Sequence, residues 1–220
     1  MDNVLISISG LAWTIVYIDS IRIGMKDKSF AMPFWALALN IAWELLHAVF
    51  GFREVGLTLQ IAINGIWFLF DIGLLYTFFR FGQRYFPKQY HVSWFYAWGI
   101  FGLLIAFILQ LAFIQEFGLL MGAVYSAFLQ NLLMSILFIV MLAQRNGTEG
   151  QTLLIAVSKC IGTLAPTIFM GVLGVESFME PNRLVLVTGG LILFFDLAYI
   201  WLLYKAKSRE KVPVDQKASA

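Results

Sequence analysis

Apolar runs of close to twenty residues follow one another along this chain, each ended by a cluster of polar, glycine or proline positions. Seven can be counted, at about 4–21, 31–52, 57–80, 92–115, 118–143, 152–174 and 184–204. A bilayer's hydrocarbon core is about 30 Å thick and takes roughly 20 apolar residues in helix to cross. The pattern therefore predicts an all-α integral membrane protein with seven transmembrane helices. The breaks support the division. "RIGMKDKS" and "RFGQRYFPKQYH" are basic loops, "FREVG" and "QEFG" are short turns, "AQRNGTEGQ" is a polar loop with glycine, and "ESFMEPNR" combines acids with proline. The expected organisation is one transmembrane domain over 1–204 and a basic, disordered cytoplasmic tail over 205–220.

Composition agrees with the pattern. Hydrophobic residues make up 60% of the chain and charged residues 13%, with a mean hydropathy of +0.82. A soluble domain carries about 25% charged residues. The single cysteine, Cys160, excludes an intramolecular disulfide framework and a cysteine metal cluster. The first basic residue, Arg22, follows the first apolar run, so that run is read as a retained span rather than a cleaved signal.

The distribution of Lys and Arg orients the chain. The first, third and fifth loops and the tail hold Arg22, Lys26, Lys28, Arg80, Arg84, Lys88, Arg145, Lys205, Lys207, Arg209, Lys211 and Lys217. The other side holds only Arg53 and Arg183. Basic residues gather on the cytoplasmic side, so the N-terminus is predicted outside and the C-terminus in the cytoplasm. Lys159 falls just inside the sixth span, where a long side chain is expected to snorkel to the interface.

A weak internal similarity joins the third and seventh spans. "FDIGLLYTFFR" (70–80) and "FDLAYIWLLYK" (195–205) each place an aspartate after a phenylalanine, with a basic residue nine positions later. At 1.5 Å per residue both aspartates lie about 13 Å from the basic boundary. The expectation is a 3+1+3 parallel repeat, spans 1–3 related to 5–7, as in some transporters.

Glu44, Asp71 and Asp196 are the acids set deep in these spans, and intramembrane acids are functional candidates by default. Their neighbours form polar faces at helical spacing: Asn40, Trp43, Glu44, His47 and Gly51; Gln60, Asn64, Trp67 and Asp71; Thr188, Ile192, Asp196 and Tyr199. Such faces avoid lipid, so they are expected to converge on one interior chamber. The amides of Asn40, Asn64 and Gln60 have a second reading as hydrogen bonds between helices, which average less than about 1 kcal/mol in membranes. Acids are dearer to bury and call for a use.

A carboxyl group in hydrocarbon keeps its proton, because desolvation penalises the charged form. It can protonate a weakly basic substrate, while a second carboxylate stabilises a developing cation and takes a proton back. Aromatic residues form 16% of the chain, and each ring face attracts a cation by about 0.5–2 kcal/mol. Together these are the parts of a protonation-initiated carbocation cyclisation. Several other chemistries lack their residues. There is no DDxxD or NDxxDxxxD cluster to hold magnesium and a diphosphate, no H-E-x-x-H, no G-x-S-x-G, and no lysine in the seventh span for a retinal Schiff base.

"NIAWE" (Asn40 to Glu44) and "FFDLAYIWLLY" (Phe194 to Tyr204) resemble the small seven-span membrane terpene cyclases of fungal meroterpenoid and indole-diterpene pathways, and their bacterial relatives that act on farnesylated substrates. The resemblance covers nearly the whole chain through length, span count and motif order, although the motifs are short. It implies that Glu44 is the proton donor and Asp196 the second essential acid; Asp71 joins them on its own stripe and the repeat. It implies no metal and no cofactor. The expected substrate is a prenylated, C15-tailed aromatic or alkaloid whose terminal epoxide or alkene is protonated. Asn40, Trp43, His47, Asn64, Trp67 and Tyr199 are expected to line its site. The expected setting is the lipid bilayer, a bacterial plasma membrane ahead of the endoplasmic reticulum, with no nucleic acid partner and a monomer or weak oligomer. The alternative is a small proton-coupled or substrate transporter built from two three-helix repeats, using the same acids.

Overall fold

A computed structural model describes residues 2–145, 147–175 and 180–210. Its long elements are α1 (Asp2–Lys26), α2 (Phe34–Val55), α3 (Leu59–Phe81), α4 (Val92–Arg145), α5 (Leu153–Pro166) and α6 (Arg183–Glu210). A 3-10 turn, Gly82–Tyr85, follows α3, and α5 continues as a π-helical stretch, Thr167–Leu173. The described residues thus hold six helices long and apolar enough to cross a membrane. Runs this apolar settle as helices because hydrocarbon offers the backbone no partner other than its own i−4 carbonyl. Thr58 and Thr152 start α3 and α5 by accepting the amides of Ile61 and Ile155.

The expected spans 92–115 and 118–143 follow one another without a loop as α4, two helical arms that meet at a kink. Within it Gly118 stands at φ 74° and ψ 171°, outside helical space. That conformation is open to glycine and costly for other residues. The element doubles back there. Gln110 Nε2 donates to Gln130 Oε1 at 2.8 Å, across a sequence separation of 20, which in straight helix would span about 30 Å. A side chain at Gly122 has no room, since its Cβ would meet the Phe113 carbonyl oxygen at 2.7 Å. We call 92–117 the first arm of α4 and 119–145 the second.

Packing places α3 against both α1 and α2, and α6 against both α4 and α5; α1 also packs on α5, and α2 on α4. Alanines 36, 38 and 42 of α2 are fully buried and let its neighbours approach. Large apolar side chains such as Leu11, Leu69, Ile108 and Phe194 face outward, as lipid-facing positions do. At one end of the bundle polar contacts tie the loops together. Arg84 pairs with Glu149, the Gly150 amide donates to Asp27 at 2.8 Å, and the Thr148 amide donates to Glu210 at 2.9 Å. The last helix runs on to Glu210, so residues 205–210 of the expected disordered tail are helical, while 211–220 lie outside the described residues.

Candidate active site

Glu44 sits halfway along α2, on the face that buries Phe34, Leu37, Asn40, Ile41, His47 and Gly51. It is 2% exposed, and Asp71 of α3 beside it is fully buried. The third partner is a residue the sequence reading missed. Tyr17 of α1, 1% exposed, donates its hydroxyl hydrogen to Glu44 Oε1 and accepts one from Asn40 Nδ2. Asn40 also reaches Glu44 Oε1 at 3.4 Å. Behind it the amides continue, Gln130 Nε2 donating to Asn40 Oδ1 at 3.1 Å and Gln110 Nε2 to Gln130 Oε1 at 2.8 Å. Every donor in this chain points towards Glu44 Oε1.

The other carboxyl oxygens are free. Glu44 Oε2 and both oxygens of Asp71 are buried without a well-formed hydrogen bond, although Asp71 stands next to Glu44 and Asn40. Buried polar atoms are satisfied in nearly all native structures, so three carboxyl oxygens without a well-formed hydrogen bond at one place make this the candidate site. Rings surround it. The Tyr17 centroid lies 6.0 Å from Trp67, 5.9 Å from Phe70 and 6.5 Å from Trp13. These are the spacings of packed aromatic pairs, so the rings stand one against another beside the acid.

Other expected residues take supporting places. Trp43 donates its indole N–H to the Ala123 carbonyl at 3.0 Å, and His47 donates from Nδ1 to the Trp43 carbonyl at 2.7 Å. His47 Nε2 is buried and unpartnered. Asn64 is buried and accepts from Gln60 at 2.8 Å, and the Trp67 N–H reaches Thr14 Oγ1 at 3.2 Å.

Asp196 lies elsewhere. Its two oxygens accept from Lys159 Nζ at 2.8 and 3.0 Å, and the same ammonium donates to Ser135 Oγ at 2.7 Å. Lys159 is 1% exposed, so it does not snorkel: an acid on the facing helix α6 draws it inward. The single chamber expected for three acids resolves into two clusters, Tyr17–Glu44–Asp71 and Ser135–Lys159–Asp196. Tyr199 joins neither acid of the first cluster: its hydroxyl donates to Gln151 Oε1 at 3.0 Å and its ring lies 5.2 Å from Phe138. Asp19, a further acid on α1, is also buried and paired, with Arg22 at 2.6 Å.

Two cavities form among residues that include neither Glu44 nor Asp71. One of about 220 Å³ lies among Phe34, Phe78, Phe95 and Trp98, and one of about 450 Å³ among Lys28, Arg80 and Arg84. Among the described residues no three His, Cys, Asp or Glu side chains converge as a metal site requires.

Over residues 1–209 the chain matches the family described as Pyr4-like transmembrane terpene cyclases, and it belongs to that family. Similar proteins include the Pyr4-family terpene cyclase mfmH of Annulohypoxylon moriforme, 34% identical over 73% of this chain and 66% of the relative. Terpene cyclase macJ of Penicillium terrestre is 32% identical over 72% of this chain and 62% of the relative. Terpene cyclase pyr4 of Aspergillus fumigatus is 25% identical over 95% of this chain and 88% of the relative. The matched stretch thus spans just under two thirds of the length of mfmH. No solved structure matches. The relatives are fungal, and they lend no support to a bacterial plasma membrane over the endoplasmic reticulum.

Proposed function

We propose that this member of the Pyr4-like family is a membrane terpene cyclase that folds a prenylated, farnesyl-length substrate by protonating its terminal epoxide or alkene. One observation carries the reading: Glu44 Oε2 and both Asp71 oxygens are buried, adjacent and without a well-formed hydrogen bond, beside the packed rings of Tyr17, Trp67 and Phe70. Membership of a family named for terpene cyclases agrees with it.

The parts divide as follows. Glu44 carries the proton on Oε2, because Oε1 already accepts from Tyr17 and Asn40. Its O–H bond breaks as a new bond forms to the epoxide oxygen, or to the terminal alkene carbon. Neighbouring double bonds of the tail then close carbon–carbon bonds in turn, with the cation passing beside Tyr17, Trp67 and Phe70. The last C–H releases its proton to Asp71, which returns it to Glu44. Substrate and product have the same atoms, an isomerisation in which this chain supplies only a proton, a shape and π faces. Trp43, His47 and Asn64 shape the pocket around the acid pair. A substrate dissolved in the bilayer enters tail first, and because the site is closed by side chains, α2, α3 and α1 part to admit it.

The same reading takes the fold as seven crossings in a 3+1+3 arrangement, N-terminus outside. The reversal at Gly118 supports the seventh crossing. The gathering of Arg84, Arg145, Lys207 and the ends of α1, α3 and α6 at one end of the bundle supports the orientation.

The test is mass-resolved product analysis on purified protein in lipid vesicles, supplied with a farnesylated hydroquinone and with its terminal epoxide. An isomer of unchanged mass from either compound is the expected result. Movement of either compound across the bilayer with no new product would replace the cyclase by the transporter.

A further inference from the structure

Neither the acid dyad nor the ring lining uses the most completely satisfied polar group in the membrane interior, the Lys159–Asp196 pair. We propose that Lys159 is a positioning residue, which with Asp196 forms one neutral unit holding the second arm of α4 behind Glu44. On this view Asp196 serves the pairing and transfers no proton. The activity readout for this inference rests on the cyclase reading above.

The geometry supplies the argument. A lysine ammonium has three hydrogens, and all three are used here: Ser135 Oγ at 2.7 Å, Asp196 Oδ1 at 2.8 Å and Asp196 Oδ2 at 3.0 Å. Both Asp196 oxygens are engaged by the same cation, so collecting a proton from a substrate would cost part of that pairing. Asp196, Lys159 and Ser135 are each 1% exposed or less. They come from three elements, α6, α5 and the second arm of α4, so the pair fixes how these helices sit. Ser135 is five residues beyond Gln130 on that arm, about 7.5 Å along the axis. Gln130 holds Asn40, and Ala123 on the same arm accepts from Trp43. Asn40 and Trp43 flank Glu44 on α2. A slip of the arm therefore reaches the acid through two hydrogen bonds, although no direct hydrogen bond joins the pair to Glu44.

Removing one member of a buried ion pair leaves an uncompensated charge and is strongly disruptive, whereas replacing both by apolar groups is often tolerated. This separates a pairing role from a proton-transfer role. Asp196→Asn and Lys159→Met are each expected to lower kcat by about 100-fold with KM little changed, and to lower the thermal midpoint. The double variant Lys159→Met/Asp196→Leu is expected to recover kcat to within about tenfold of wild type, with the same product. Lys159→Arg, which keeps the charge, is expected to retain most of the activity.

The probes are the farnesylated hydroquinone and its terminal epoxide. A folded double variant that stays at the level of Asp196→Asn would overturn the proposal, because Asp196 would then be needed for itself. Full activity in Lys159→Met would overturn it too. If the double variant does not accumulate as folded protein, Lys159→Arg decides: retained activity supports the pairing, and lost activity at normal folded yield ends it. A wild type that makes no isomer from either probe defeats the cyclase reading instead. The pairing is then read from thermal midpoints alone, where recovery in the double variant supports it and additive losses reject it.

Discussion

Two buried polar clusters sit at matching depth in this bundle, and their chemistry is opposite. Tyr17 lies nine residues before Lys26 and Asp71 nine before Arg80; Ser135 lies ten before Arg145 and Asp196 nine before Lys205. Each cluster takes one side chain from each of three helical segments in chain order. The first pairs acid with acid and leaves three carboxyl oxygens unpartnered. The second pairs acid with base and leaves none of the ammonium's or Asp196's groups free. An intramembrane charge can be made tolerable by a partner, or kept reactive by withholding one; on the proposed reading the two clusters do one each.

The comparison can be broken most forcefully at Glu44. Glu44→Gln keeps size and hydrogen bonding and removes the transferable proton, so turnover is expected to fall by at least about 10³-fold, measured as isomer formed per folded protein. Asp71→Asn removes the acid next to it. A loss of about 10²-fold is expected, with part of the cation captured by water, giving products heavier than the substrate by one water in place of the isomer. Tyr17→Phe takes away one donor to Glu44 Oε1 while keeping the ring; a hydrogen bond to the carboxylate left as the proton is given up is worth about 1.5–3 kcal/mol, so a fall in kcat of about 10- to 150-fold is expected. The smallest effect sharpens the picture rather than breaking it. Trp67→Leu removes one π face worth about 0.5–2 kcal/mol, so rates should drop by a few-fold to about 30-fold while the ring pattern of the products broadens.

Much of the architecture was legible because lipid imposes a simple rule. Residues facing hydrocarbon are apolar, so spans stand out as runs and their breaks as polar clusters. The joint inside α4 was harder. "QEFG" reads as a turn, yet of its residues only Gly118 leaves helical geometry between the two arms. The π-helical end of α5 had a visible signal in Pro166, which cannot donate an amide to the turn before it.

Within the site, Glu44, Asp71 and their amide neighbours were found by charge and spacing, since a buried acid is rare enough to notice. Tyr17 was missed because a hydroxyl costs little in hydrocarbon and raises no alarm. Its signal was the face Trp13, Val16, Tyr17 and Ser20, all buried and spaced as one side of a helix. Lys159 misled for the opposite reason. It stands six residues into α5, about 9 Å from the start, within reach of the interface for a long side chain. Only the packing of α6 against α5 brings Asp196 to it, and span patterns carry no information about which helices become neighbours. That packing also separated Asp196 from the other two acids.

The central claim is that Glu44 holds the transferable proton. Infrared spectroscopy of purified wild type and Glu44→Gln at neutral pH tests it most directly, by comparing the carbonyl stretch of neutral carboxylic acids with the bands of ionised carboxylates. The account predicts that the variant loses a neutral-acid band and that Asp71→Asn shifts the same band in the otherwise unchanged protein. Loss of an ionised carboxylate band instead, with the neutral-acid region unaltered, would contradict it.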